Sequence, residues 1–512
     1  TSGRHNIIWT ATDAAGNHRQ VVQTLKIRPL AEFAVDQVVG EGDTVEVRVL
    51  LSGDAADYPV RLPYRVGGSA TPGQDHDASD GALEIATGRS AALSFNVSAD
   101  GAVGEGDETV IFSLDAPDNA VRGGRAAHTV TIREDNLPPR VDLEIRQGGR
   151  TTTTVYADAG PVRVSAGVVD PNPDDSHRFD WSLTDNTLVS TSGVDADEYS
   201  FDPQQLTPGI YTLRLTVEDD GTPSESVTVQ ASLRVAQQTP DLRADEDSDN
   251  DGIDDASEGP GDSKGNGIPD FLDALPERHV LQSRAGVADR DLLVTEAGLR
   301  LRLGTTALAA GRHAAGVSLA DITNHGGASG TAGLAAEDDS HSYPGGLFDF
   351  ELTGLTQTGQ SVRLVIPQLA PIPADGVYRK YIADQGWQDF VTNARNSLAS
   401  APGGNGSCPA PTSTVWREGL HAGDLCVRLT IEDGGPNDAD GRANGQILDP
   451  GGVATPAAGG SGDSSGGNSL SDDGGGGGGC SLGRSDTRDP LFPLLALLAG
   501  AGLRRSRRHQ RG

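Results

Sequence analysis

The acidic stretch at residues 245–273 constrains the fold of this chain more than any other part of it, because it is too polar to form a core. It holds eleven acidic residues and one Lys in 29 positions. Asp247, Asp249 and Asp251 alternate along it, and Gly252 follows them. Alternate positions aim carboxylates at one point, and Gly lets the backbone reverse sharply. The stretch is therefore either a solvated acidic run or a metal-binding loop.

The spacing favours a calcium loop. Oxygen-bearing residues fall on the first, third, fifth, ninth and twelfth places of a loop that has Gly at the sixth and a backbone carbonyl at the seventh. Calcium is a hard cation that takes about six to eight oxygen ligands, so calcium is the expected cofactor. The predicted ligands of this first loop are Asp247, Asp249, Asp251, Ile253, Asp255 and Glu258.

A second copy follows in the same register, but Lys264 occupies its third place. An ammonium cannot ligate a cation and repels it, so we expect this loop to bind calcium more weakly than the first or not at all. The two copies, residues 241–276, resemble the thrombospondin type 3 repeat, a family that binds calcium without the flanking helices of an EF-hand. The candidate ligands of the second loop are Asp262, Asn266, Ile268, Asp270 and Asp273.

Residues 31–136 alternate strands and turns with the rhythm of a β-sandwich. The strings GEGDTVEVRV, EGDETVIFSL and VTIRED within them resemble a Calx-beta domain, whose family binds calcium at one end of the sandwich. The alternative is that these Asp, Glu and Gly residues only form tight turns. The resemblance implies the candidate ligands Glu41, Asp75, Asp100, Glu105, Glu108, Glu134 and Asp135.

Two further segments resemble immunoglobulin-like domains. Residues 1–30, with IIWTATDAAGN, resemble the last hairpin of a bacterial immunoglobulin-like or hyalin-repeat domain. Residues 137–238, with PGIYTLRLTVEDDG, resemble a polycystic-kidney-disease-type domain. Asp170, Asp219 and Asp220 in the latter would either hold an ion near the domain joint or form turns.

Residues 277–455 resemble a choice-of-anchor domain, a family found before C-terminal anchors of bacterial surface proteins, through DGVYRKYIADQGWQDF and LTIEDGGPNDADGRANGQILDPGG. Cys408 and Cys426 form either a disulfide bridge, favoured in an oxidising compartment, or two free thiols. Asp433, Asp438, Asp440 and Asn444 fit either another oxygen-rich loop or a hydrated surface turn.

The sequence of the C-terminal part, residues 456–512, indicates a linker and a sorting signal rather than a folded domain. Residues 456–480 form a Gly/Ser linker that cannot bury a core. In residues 481–512, the apolar run LFPLLALLAGAGL precedes an Arg cluster. This order resembles a bacterial C-terminal sorting signal of the GlyGly-CTERM or JDVT-CTERM kind. The chain starts without Met or a signal peptide, so we expect it to be the C-terminal part of a longer protein.

These observations predict an all-β fold of tandem immunoglobulin-like and Calx-beta sandwiches, with a calcium repeat, a Gly-rich linker and a short hydrophobic C-terminal helix. The expected function is a calcium-binding, surface-anchored adhesion or structural protein with its sandwiches strung end to end as a rod. The alternatives are the non-catalytic stalk of a secreted hydrolase and an array of carbohydrate-binding modules.

We expect no enzyme in this chain, because it has no H-E-x-x-H motif, no supported nucleophile elbow and no phosphate loop. A formal net charge of −33 argues against nucleic acid as a partner. The expected partners are calcium, other surface proteins or glycans, and the membrane before the C-terminal segment is processed.

Overall fold

Short strands and turns build this chain, as its many Gly residues and alternating apolar positions require. The computed structural model describes residues 2–12, 17–99, 106–133 and 135–457. The fold is all-β, as predicted: a hairpin is followed by three sandwiches. The hairpin pairs β1 (Gly3–Thr12) with β2 (His18–Ile27). Arg4 and Lys26 attach it to the first sandwich, because both form ion pairs with Asp57 at 2.6 and 2.7 Å.

The first sandwich packs a four-stranded sheet, of order β10-β3-β5-β8, on a five-stranded sheet, of order β4-β11-β9-β6-β7. Val45, Val47 and Val49 of β5 are buried while the residues between them are exposed, because successive side chains of a strand point to opposite faces. Its strands are β3 (Leu30–Phe33), β4 (Gln37–Gly40), β5 (Thr44–Leu51), β6 (Val60–Gly68), β7 (Gly81–Ile85), β8 (Ser90–Asn96), β9 (Glu108–Leu114), β10 (Val121–Arg122) and β11 (Ala127–Arg133).

The second sandwich has two four-stranded sheets, of orders β13-β12-β15-β17 and β14-β19-β18-β16. Trp181 is buried in its core, and its ring lies 5.3 Å from that of Tyr199. A 3₁₀ helix spans Pro203–Gln205. The strands are β12 (Arg140–Gln147), β13 (Arg150–Thr151), β14 (Thr154–Tyr156), β15 (Val162–Val169), β16 (His177–Asp180), β17 (Glu198–Phe201), β18 (Gly209–Asp219) and β19 (Ser226–Ala236).

The acidic repeat follows as two irregular loops. The first ends in the one-turn helix α1 (Asp255–Glu258), and the second ends in a 3₁₀ helix at Asp270–Leu272. The side chain of Asp254 caps α1 by accepting a hydrogen bond from the Ser257 backbone N–H at 3.0 Å. The repeat therefore has no helix long enough to frame an EF-hand.

The third sandwich has a six-stranded sheet, β20-β21-β26-β31-β29-β30, and a second sheet built on the path β22-β25-β32-β27-β28, to which β23 and β24 add. A 3₁₀ helix spans Ala328–Gly330. Its elements are β20 (Val280–Gln282), β21 (Leu292–Thr295), β22 (Arg300–Leu303), α2 (Thr305–Ala309), β23 (Gly316–Val317), α3 (Leu319–His325), β24 (His341–Ser342), β25 (Leu347–Thr353), β26 (Ser361–Pro367), β27 (Val377–Ile382), β28 (Gly386–Asp389), β29 (Ser397–Ala401), β30 (Arg417–Glu418), β31 (Cys426–Glu432) and β32 (Ile447–Pro456).

A disulfide joins Cys408 to Cys426, with 5.7 Å between their Cα atoms. It ties the loop before β30 to the first residue of β31. Of the two interpretations that the sequence left open, the structure has the bridge.

The third sandwich packs against both earlier sandwiches. Arg125 of the first sandwich forms an ion pair with Glu296. Gln230 of the second sandwich exchanges two hydrogen bonds with Gln446, at 2.9 and 2.8 Å. Val35 of the first sandwich also packs in the hydrophobic core of the third. These contacts contradict the expected end-to-end arrangement for the described residues.

The C-terminal predictions fall almost wholly outside the described residues, which end at 457. This concerns the linker at 456–480 and the sorting or anchor segment at 481–512. Over the part of the chain that the structure describes, no helix has the length and apolar character needed to span a membrane.

Candidate metal centre

Three carboxylates of the first loop come together in the structure. One oxygen from each of Asp247, Asp249 and Asp251 lies within 4.8 Å of the others. Backbone amides fix all three side chains: Asp247 accepts from the Gly252 N–H at 3.2 Å, Asp249 from the Asp251 N–H at 3.1 Å, and Asp251 from the Ile253 N–H at 2.7 Å. The φ angle of Gly252 is 102°, a region that favours Gly. The loop therefore converges as its spacing predicts.

Among the described residues, two buried oxygens at this cluster have no hydrogen-bond partner: Oδ2 of Asp249, within the cluster, and Oε2 of the nearby Glu258. Burial, together with the negative charges of Asp249 and Asp251, raises the pKa of Glu258 to about 7. Burial also raises the pKa of Asp249. Buried polar atoms in proteins are normally paired, and carboxylates that face each other repel. The unpaired oxygens thus define a place that suits a cation.

The ninth place of each loop has a role that the sequence did not predict. The two oxygens of Asp255 accept hydrogen bonds from the backbone N–H and the hydroxyl of Ser248, at 2.8 and 2.7 Å. Asp270 accepts the same pair from Ser263, at 2.8 and 2.9 Å. Asp255 and Asp270 therefore brace their loops. Their role as ligands stays a prediction, and these serine contacts hold their carboxylates in place.

The ammonium group of Lys264 binds to acceptors within and just after the second loop. It lies 2.7 Å from Oδ2 of Asp273 and also donates to the carbonyl of Leu275. Asn266 donates to the same Asp273 oxygen at 2.7 Å. Asp262 accepts from the backbone N–H of Asn266 at 3.0 Å and from that of Gly267 at 2.8 Å. The loop thus carries its own cation, which satisfies the oxygens that a metal ion would need.

This network is consistent with the weaker binding expected of the second loop, because Lys264 pairs with Asp273 and backbone amides engage Asp262. Ile268 is fully buried in the core of the third sandwich. The equivalent Ile253 of the first loop is 50% exposed. The candidate ligands of the second loop stay a prediction: Asp262, Asn266, Ile268, Asp270 and Asp273.

The Calx-beta candidates are only partly described. Glu41 follows β4, Glu108 begins β9 and Asp135 follows β11. Asp75 accepts from the backbone N–H of Thr71 at 2.5 Å. Within the described ranges, no three of these four carboxylates approach one another closely enough to share an ion. The remaining candidates, Asp100, Glu105 and Glu134, lie outside the described residues.

The acidic loop of the third sandwich is buried rather than a hydrated surface turn. Oδ2 of Asp433 accepts from the N–H groups of Gly359 and Gly445, at 2.7 and 2.9 Å. Asp438 accepts from Gly434 and Leu448, at 2.9 and 3.1 Å. Burial raises the pKa of Asp438 to about 8. These carboxylates therefore hold the loop together through backbone amides.

No family model matches the chain, and no curated protein matches it. Several solved structures resemble parts of it. The apo form of the Calx CBD1 domain is 24% identical and covers 21% of this chain and 99% of its own, with a TM-score of 0.19. The calcium binding domain CBD12 of CALX1.1 is 17% identical and covers 41% and 82%, with a TM-score of 0.19. A protocadherin gammaB7 EC3-6 structure is 14% identical and covers 46% and 58%, with a TM-score of 0.17. TM-scores this low assign neither a family nor a function to the chain.

Proposed function

We propose that the first loop binds calcium and that the chain is a non-catalytic, calcium-stabilised structural or adhesive segment of an exported surface protein. The supporting observation is the pair of buried, unpaired oxygens on Asp249 and Glu258 beside two further carboxylates. A divalent cation placed among them offsets their mutual repulsion and supplies the missing partner. The first-loop ligands are then Asp247, Asp249, Asp251 and Glu258.

Calcium suits this site better than a transition metal does. The donors are carboxylate oxygens, which hard cations prefer, whereas zinc sites are built largely from Cys and His. Calcium also tolerates the irregular geometry of an exposed loop, whereas magnesium demands a near-octahedral one. We expect a dissociation constant on the order of 10⁻⁴ to 10⁻³ M, as in extracellular modules.

An exported location is part of the proposal. The bond between Cys408 and Cys426 suits an oxidising compartment, where disulfides persist and calcium is plentiful. The Gly/Ser linker and the apolar C-terminal segment suit delivery to a bacterial surface, where other surface proteins or glycans would be the partners. In this proposal calcium stiffens the protein and the sandwiches provide contact area.

Calcium titration of the full chain by calorimetry, after treatment with a chelator, tests the first-loop site. Asp249→Asn removes one negative ligand while keeping the shape of the side chain. We expect it to weaken that site by at least about tenfold, because affinity in such loops follows the ligand charge.

The matched control is Asp245→Asn, which makes the same charge change in the same acidic run. Asp245 lies outside the loop, and its side chain is 77% exposed beside Arg243. Its titration should match that of the wild type. Identical titrations for the Asp249 and Asp245 variants would refute the proposed site.

A further inference from the structure

A second group of carboxylates lies at one end of the second sandwich. Asp170 and Asp175 lie in the loop between β15 and β16, and Asp219 is the last residue of β18. One oxygen from each lies within 4.8 Å of the others. Two loops that are far apart in sequence thus bring three negative charges together.

Two buried oxygens of this group, Oδ2 of Asp175 and Oδ2 of Asp219, have no hydrogen-bond partner in the part of the chain that the structure describes. The two carboxylate oxygens of Asp219 differ in their hydrogen bonding, although the residue is only 4% exposed. Its Oδ1 accepts three hydrogen bonds, from Asn136 at 2.9 Å, Gly221 at 3.1 Å and Glu225 at 2.9 Å. Turn formation alone therefore accounts for one oxygen of Asp219 and leaves the other without a partner.

Two basic side chains lie near the group, since the Arg140 guanidinium interacts electrostatically with Asp170 and His177 contacts Oδ2 of Asp170 at 2.7 Å. Within the described residues, neither Asp175 nor Asp219 forms an ion pair with Arg or Lys. Burial raises the pKa of Asp175, and the charges of Asp170 and Asp219 add to the rise. A bound cation would supply the partner that the Oδ2 atoms of Asp175 and Asp219 lack among the described residues.

The group lies at the joint between the first two sandwiches. The backbone N–H of Gly40, at the end of β4, donates to the carbonyl of Pro171 at 2.8 Å. The N–H of Leu137, in the connection between the sandwiches, donates to the side chain of Asn172 at 2.8 Å. The loop that carries Asp170 and Asp175 therefore touches both the first sandwich and the connection.

We propose that Asp170, Asp175 and Asp219 form a calcium site that fixes the joint between the first two sandwiches. All three donors are oxygens, and water would complete the coordination shell. Asp220, which the sequence analysis placed in this group, is engaged elsewhere: it accepts from the backbone N–H and the hydroxyl of Ser176, at 2.8 and 2.6 Å. The site involves no residue of the first loop, so either site can fail while the other stands.

The test is calcium stoichiometry of the full chain by equilibrium dialysis, with calcium chloride as the probe. Asp175→Asn is the main variant because the oxygen it alters makes no hydrogen bond, so that the fold should persist; circular dichroism checks this. We expect the variant to bind one ion fewer than the wild type at a calcium concentration that saturates the wild type. Asp174→Asn, an exposed neighbour with the same charge change, should bind the full number.

The first-loop variant Asp249→Asn separates the two sites. Each single variant should lose one ion, and the double variant with Asp175→Asn should lose two. If the Asp175 variant binds as many ions as the Asp174 variant, the joint site is overturned, whatever the first loop does.

Discussion

Lys264 places an ammonium where the first loop offers only carboxylates and unpaired oxygens. Its side chain is 11% exposed, and its partner Asp273 is 0% exposed. Removing one member of such a buried pair typically costs about 3 kcal/mol, because the other charge is left uncompensated. The second loop is therefore stable without metal because it carries this one side chain.

Lys264→Asn should convert the second loop into a calcium site. Asn offers an oxygen at the third place of the loop, and its arrival frees Asp273. Without calcium we expect the variant to unfold about 3 kcal/mol more easily than the wild type. Calcium should restore most of this loss and add one bound ion, as measured by urea denaturation with and without calcium.

Lys26→Asn is the matched control, since Lys26 is exposed and lies far from the repeat. It should bind as many calcium ions as the wild type. A Lys264 variant whose stability does not respond to calcium would show that the second loop cannot act as a site even when its ammonium is gone.

Asp349 should make the protein less stable as pH rises. It is buried below α2, where its Oδ2 accepts from the N–H of Ala307 at 2.8 Å. Burial, together with the nearby charges of Asp449 and Glu351, raises its pKa from 3.8 to about 7. The folded state therefore keeps a proton that the unfolded state loses, so stability falls as pH rises from about 4 through about 7.

Asp349→Asn removes this titration while keeping an acceptor for α2. Between pH 5 and pH 8, in chelator, the melting temperature should fall less for this variant than for the wild type. Asp384→Asn, an exposed control, should follow the wild type. Calorimetry at the two pH values measures both, and parallel curves for the Asp349 variant and the wild type would contradict the assignment.

At the level of elements, the two loops of the repeat share a register but not an environment. Ile253 lies at the surface, whereas Ile268 inserts into the core of the third sandwich. The backbone N–H of Asp262 also donates to Thr151 of the second sandwich at 2.8 Å. The second loop is thus a structural connector, and the first is left open to solvent and ions.

The spacing of Asp and Gly residues predicted the first loop, because the convergence of its carboxylates and the turn at Gly252 both depend on neighbouring residues. The alternation of strands and turns in residues 31–136 also predicted the sandwich to which β5 belongs. Spacing did not predict the engagement of Asp255 by Ser248, because a serine hydroxyl beside a carboxylate leaves no distinctive pattern. Asp175 was missed for another reason: its partner Asp219 belongs to a distant strand, and only the fold brings the two together.

The disulfide between Cys408 and Cys426 should stabilise the third sandwich. It closes a loop with a sequence separation of 18, which the chain-entropy model values at about 3 kcal/mol. Replacing both cysteines with Ala should lower the free energy of unfolding by about that amount, measured in urea. Cys480→Ala, which removes the third cysteine, should not, and equal stability of the double variant and this control would contradict the prediction.

At the scale of the three described sandwiches, the third contacts both of the others, whereas the sequence suggested an end-to-end rod. Such contacts are polar and irregular, as between Gln230 and Gln446. They therefore leave no periodic pattern in the sequence from which they could be predicted. The third sandwich has a large apolar core, in which Leu293, Phe350 and Leu429 are fully buried. Its stability should therefore depend little on calcium, whereas the first loop and the joint should depend on it strongly.

Calcium should accordingly raise the melting temperature of the chain through the two sites proposed within the described residues. Each site contributes about 2.7 kcal/mol when free calcium exceeds its dissociation constant by about a hundredfold. Differential scanning calorimetry over a calcium series should show a rise of several degrees that chelator reverses. Magnesium should have a smaller effect, because it holds its water more tightly.

The double variant Asp175→Asn with Asp249→Asn should show no such rise, and each single variant should keep about half of it in free energy. This additivity is expected because the sites share no ligand. If the double variant still responds to calcium like the wild type, the stabilising ions bind elsewhere. If the wild type melts at the same temperature in chelator and in calcium, both sites are ruled out as sources of stability, and the unpaired oxygens of Asp219 and Glu258 would then have to be satisfied by something other than calcium.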